Sequence, residues 1–312
     1  MNNNQPINIR WCEFETADEQ TRREMARQAA EGSARDLTAY EAMTDMLAYH
    51  GETAVLVELA RQAMPYLQTN TALTSRRKQE LAAQATDMLI FQYVESGGAD
   101  LAALQAALEL YMPVDEAQLA SFVAILRGER AYRWQLSHFV VEEMSEERQQ
   151  AAAQNTAVLM LAFLGYLHVQ EQIPLSKGNF MRQLWPVYLV ERRTGQLEER
   201  LDMTAVIRGE RPRPVIRPRP HPLCPDKATL EQYLTKLLNY QAQSYKAAAV
   251  FTLIPAWLRF LQTCQLIDQT QQSAVSAELK SMADDLAAYW SDFSDDPTLR
   301  RDVEQDWFNL QD

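Results

Sequence analysis

Glycine is scarce in this chain: nine of 312 residues, under half the usual share of about 7%. The nine stand singly or as the one pair Gly97-Gly98. Neither GxGxxG nor GxxxxGK occurs, which excludes the common glycine-rich phosphate-cradling loops. Cysteine is almost as sparse. Cys12, Cys224 and Cys264 are odd in number and widely separated, which excludes a disulfide framework and a CxxC metal site and points to a reducing compartment. Long apolar runs are missing too. Ala157–Val169 and Ala247–Leu258 are 13 and 12 residues, short of the roughly 18 that span a bilayer. The N-terminal MNNNQPINIRWCEFE has no apolar core of a secretory signal. The expectation is a cytoplasmic protein with no membrane contact.

What is abundant is Ala, Leu, Gln, Glu and Arg, the strong helix formers, in a chain 47% hydrophobic with a formal charge of −12. Alternating β-branched patterns are absent, so the fold class expected is all-α, either a helical-hairpin array or a multi-helix bundle. Start and stop signals divide residues 1–127 into successive helices: Thr16 with Glu19 as a capping box for a helix to Gly32, then about Ala34–His50, Thr53–Met64 ended by Pro65, Ser75–Glu95, Asp100–Tyr111 and Asp115–Leu126. In a 34-residue register from Leu37, Ala60 and Ala63 stand where tetratricopeptide repeats carry small residues. Tyr40, Thr44 and Gln68 occupy that repeat's Trp, Gly and Pro positions, and no period holds over three units.

A middle unit over 128–207 reads as helices at Glu129–Glu143, Glu146–Gln172 and Asn179–Arg193, the last kinked by Pro186. Residues 208–226 form an extended linker: Arg208–Pro225 holds six of the thirteen prolines and five arginines. Between Arg208 and Lys227 the charge is +4, leaving −16 on the other residues, and opposite charge favours this segment lying as a strap on its own chain's acidic surface. The C-terminal unit, 227–312, is read as helices at Ala228–Leu253 (capped by Asp226), Trp257–Cys264 and Gln272–Trp290, followed by an acidic tail.

Chemistry-bearing motifs are few. None of the four histidines belongs to HExxH or stands three residues after a glutamate, so zincin and di-iron bundle patterns fail and no metal is expected. His168 and Glu171 share a helix face but cannot fill a coordination sphere alone. Asp284-Asp285 with Trp290 resembles one of the paired aspartate motifs of all-α prenyl-chain enzymes, and its pair is missing. Arg133 and His138 form an Arg-x4-His element that resembles the active site of HEPN-type helical ribonucleases. That resemblance implies RNA cleavage, with Arg133 stabilising phosphoryl charge and His138 moving a proton. Gln170–Arg193 resembles a helix-turn-helix, which would present Lys177, Asn179 and Arg182 to nucleic acid. The negative charge opposes both alternatives.

No nucleophile motif and no cofactor loop remain, so the reading is a helical interaction module for a protein or peptide partner, with no cofactor and no evident catalysis. Candidate binding residues are Tyr132, Tyr166, His168 and Arg182, with Arg213, Arg217 and Arg219 in the basic segment. Arg133 and His138 are the only catalytic candidates.

Overall fold

The computed structural model describes residues 10–140, 146–197, 221–240 and 243–308. The described residues are helices and loops with no strand. They divide into two compact units. One comprises Met1–Ala131, Leu161–Phe180 and Trp290–Arg300; the other Tyr132–Met160, Met181–Tyr289 and Arg301–Asp312.

In the first unit the helices are α1 (Trp11–Thr16), α2 (Glu19–Gly32), α3 (Thr38–Tyr49), α4 (Thr53–Thr69), α5 (Ser75–Glu95), α6 (Leu101–Leu108) and α7 (Glu116–Leu126). α2 packs on α4, α4 on α5, and α5 carries both α6 and α7. Short polar side chains start these helices by accepting orphan backbone N–H groups: Thr74 from Arg77, Asp100 from Ala103 and Asp115 from Gln118. The cap of α2 is Asp18, which accepts from the Thr21 amide at 2.7 Å, and not Thr16, whose hydroxyl donates back to the Cys12 carbonyl. α3 begins at Thr38 because Asp36 holds the Thr38 amide and hydroxyl in a turn. α4 continues past Pro65 to Thr69, since Leu67 beyond the proline is buried and repays the lost backbone bond.

Two long helices contribute to both units: α8 (Glu146–Val169) and α9 (Leu175–Arg193). α8 is long and apolar enough by length and composition to cross a membrane, and it also carries the buried core residues Leu159, Met160, Phe163, Leu164 and Leu167. In the first unit Gly165 of α8 lies directly against the Ile125 carbonyl of α7, leaving no room for a β-carbon. The Leu175 amide donates to Glu95, and the Ser176 hydroxyl to the Ala48 carbonyl, so the start of α9 is tied to α5 and α3.

The second unit adds α10 (Lys227–Thr235), a π-helical turn at Lys236–Tyr240, α11 (Ser244–Thr252), α12 (Ile254–Thr263), most of α13 (Gln269–Phe293) and most of α14 (Pro297–Phe308). Its core is aromatic: Trp185 and Trp257 meet edge to face at 6.1 Å, and Trp307 stacks on Phe251 at 4.7 Å while its indole N–H donates to the Phe251 carbonyl.

Four sequence expectations need correction. Glu129–Glu143 is not one helix: 129–135 has no regular secondary structure and Leu136–His138 makes a 3₁₀ turn, while 141–143 lie outside the described residues. Gly128 ends α7 at φ +69°, and Tyr132 and Trp134 beyond it are weak helix formers. Ala228–Leu253 is broken by the π turn, whose Lys236 is drawn onto Glu191 of α9. Gly178 lies inside α9 and not in a turn before it. The acidic C-terminal stretch contains α14, which buries Leu299, Val303 and Trp307 at helical spacing behind an Asp296-Pro297 start. The extended Arg/Pro segment lies outside the described residues.

The contact between Gly165 and Ile125 makes a contrast of two glycines informative. Gly165→Ala must push backbone apart and is expected to destabilise by about 1–3 kcal/mol. Gly32→Ala meets nothing within 4 Å and ends a helix, so it should be neutral or stabilise by up to about 1 kcal/mol. Thermal or urea unfolding of the two variants checks this.

Candidate binding surface

The loop after α7 exposes large side chains in a pattern that burial does not explain. Tyr132 and Trp134 lie two residues apart in the irregular segment before the 3₁₀ turn. Their rings stack at 5.2 Å with an interplanar angle of 20°, and Trp134 continues onto Phe139 at 5.7 Å. Phe139 is buried and roots the ladder. The Gln135 amide donates to His138 Nδ1 at 3.3 Å, closing the 3₁₀ turn, and Asn155 of α8 donates to the His138 carbonyl. The ladder is therefore held in shape while its outer members remain half-exposed. Around it Leu136 and Val140 are 37% and 41% exposed, and Arg133 is exposed with no ion pair among the described residues. Tyr, Trp and Arg beside exposed aliphatic groups is the composition of interface anchors.

The other expected site residues sit as follows. Tyr166 and His168 are half-buried in the last turns of α8, in the first unit, whereas Tyr132, Arg133 and His138 belong to the second. Tyr166 donates to Glu171 at 2.8 Å, so the carboxylate paired in sequence with His168 already has a neutral partner. Among the described residues no group of three or more His, Cys, Asp or Glu gathers to hold a metal. Arg182 is half-buried on α9. Arg213, Arg217 and Arg219 lie outside the described residues.

Two structural premises are not met. The Arg-x4-His element lies in an irregular segment and a 3₁₀ turn, not on an α-helix, because α7 ends at Leu126. The three polar residues of the helix-turn-helix reading do not form one solvated face: Asn179 is buried, and the Lys177 ammonium lies 4.2 Å from the Tyr49 ring centroid.

Sequence reasoning missed two buried polar nodes, since their members are far apart along the chain. In the first unit His50 Nε2 and Asp296 Oδ2 are 2.8 Å apart, and Trp11 lies flat on the imidazole at 3.4 Å between ring centroids. Burial alone would raise the Asp296 carboxyl, but bonds from His50 and from the Thr298 hydroxyl and amide outweigh it and hold it below the usual range. That carboxylate also starts α14, a structural task.

In the second unit the buried Arg192 guanidinium donates to the Cys224 and His221 carbonyls and lies 5.6 Å from the Tyr188 ring centroid. Burial pushes the Cys224 thiol up to about 12, which leaves it a neutral apolar group and not a nucleophile. His221 Nδ1 accepts from the Leu223 and Cys224 amides, so Nε2 faces the Leu266 carbonyl as the donor, at 3.3 Å. Burial and Arg192 lower the His221 pKa, with only the Leu266 bond opposing. Both nodes spend their polar atoms on the fold. The exposed ladder remains the surface with unspent groups.

No protein family, no curated protein and no solved structure matches the chain.

The His221 anchor gives the protein a pH dependence whose sign follows from its neutral form. The unfolded imidazole takes a proton near its ordinary value of about 6.5, whereas the folded one resists it. This stabilisation is full above that value and is lost as pH falls below it. Urea midpoints should drop between neutral and mildly acidic pH, and His221→Asn should flatten that slope; an unchanged slope would contradict the assignment.

Proposed function

We propose that this protein is a helical interaction module that binds a protein partner through the Tyr132–Trp134–Phe139 ladder with Arg133. The observation that carries the reading is the stack itself: an aromatic pair joined to buried Phe139, flanked by exposed Leu136 and Val140 and by a guanidinium with no ion pair among the described residues. Such anchors lose little conformational entropy on docking, and a few of them supply most of an interface's affinity. Arg133 adds a bidentate donor for a carboxylate or carbonyl of the partner. A cytoplasmic setting is consistent with three cysteines that form no disulfide. A base could stack on the same rings, but a net charge of −12 opposes a phosphate backbone.

The test is comparative capture from native extract by the full chain and by Trp134→Ala and Arg133→Ala, with the bound material identified by mass spectrometry and assayed for nucleic acid. Each substitution is expected to weaken retention of the specific protein partner by about 30-fold, corresponding to about 2 kcal/mol at an interface anchor. Equal capture by all three chains, or retention of nucleic acid alone, would overturn the reading.

A further inference from the structure

The second unit contains a second recognition feature, independent of the aromatic ladder. Between α10 with its π turn and α13 lies a cleft of about 190 Å³. Its floor is Leu234, Met282 and Leu286; its rim carries Glu231 and Asp285, and the Tyr289 ring forms part of its wall. At one end the two helices are pinned together, where the Lys227 amide donates to Glu278 and its ammonium to Ser281. The opposite flank of α10 is tied to α9, by Tyr233 to the Leu184 carbonyl and by Lys236 to Glu191. α10 and its π turn are therefore tied on both flanks. The π turn places Leu238 and Asn239 at the cleft. Single π turns cost helix geometry and occur often at functional sites.

Size and charge together select the occupant. Ligand pockets for whole small molecules run to about 300–1,000 Å³, so this cleft holds one long side chain. Among the described residues no basic side chain lines it, and neither Glu231 nor Asp285 makes an ion pair. An apolar floor below two carboxylates matches an arginine, which lays its methylene stem along leucine and methionine and keeps its charged head at the rim. The planar guanidinium can also fork onto a carboxylate.

We propose that this cleft binds a single arginine side chain presented by an extended basic peptide of a partner protein. The site reads charge and stem length, not backbone sequence. Salt should weaken binding, because the rim carboxylates are exposed.

Fluorescence anisotropy with the full chain tests it, using a labelled, capped heptapeptide with one arginine between two leucines, the same peptide with citrulline, and spermidine as competitor. The arginine peptide should bind, with citrulline weakening it by about tenfold and the double variant Glu231→Gln, Asp285→Asn by a similar factor. Both substituted residues are exposed, and unchanged circular dichroism verifies the fold. Equal binding of arginine and citrulline peptides, or no binding up to millimolar protein, would overturn the proposal. Displacement by spermidine at lower concentration than by unlabelled peptide would assign the cleft to a free polyamine and overturn it as well. So would a gain of peptide binding in the full chain carrying Arg211, Arg213, Arg217 and Arg219→Gln, which would give the cleft to this chain's own arginines.

Discussion

In the second unit much depends on where the buried Arg192 guanidinium finds its partners. A charge removed from water needs its donors satisfied, and leaving one unpaired costs several kcal/mol. Arg192 meets that demand with the carbonyls of His221 and Cys224, within the short stretch that leads into α10. His221 completes the arrangement by accepting the Leu223 and Cys224 amides, and the Trp257 indole takes the Leu223 carbonyl. Four consecutive residues, one of them proline, are thereby held without secondary structure of their own. α10 starts from this anchor with Asp226 as its cap, so the position of Glu231 and Leu234 at the cleft follows from a guanidinium on α9.

The first unit relies on close approach at its glycines. Gly165 lets α8 touch the α7 backbone, and Gly51 turns the chain at φ +76° beside Pro174. In a chain with so few glycines these positions are where bulk is not tolerated. The buried His50–Asp296 pair and the ring of Trp11 close the same unit with a polar contact that would be expensive to break and is already satisfied.

The two proposed recognition features differ in physical kind. The loop ladder offers rigid aromatic area with one cation, whereas the cleft offers a narrow apolar slot with two anions. A partner engaging both would need an apolar, hydrogen-bonding face for the first and a projecting arginine for the second. The buried Cys224 thiol is held neutral.

The helical class was legible from composition, because helix formers without alternating β-branched residues leave the backbone one way to satisfy its own hydrogen bonds. Several helix starts were legible too. Thr74, Asp100, Asp115 and Asp226 act on amides three residues away, and such local interactions are written in short sequence windows. The candidate surface was legible only as a coincidence of Tyr132, Arg133 and His138, on a helix that does not form. Whether 129–140 stayed helical depended on what Trp134 and Phe139 could pack against, and the answer was each other. The same holds for the π turn, drawn by the long-range Lys236–Glu191 pair, for α4 running through Pro65 and for the helix hidden in the acidic C-terminus. Propensities of a few tenths of a kcal/mol per residue are overruled by the burial of one large side chain, about 1.5–3 kcal/mol, and only the tertiary structure says which side chains are buried.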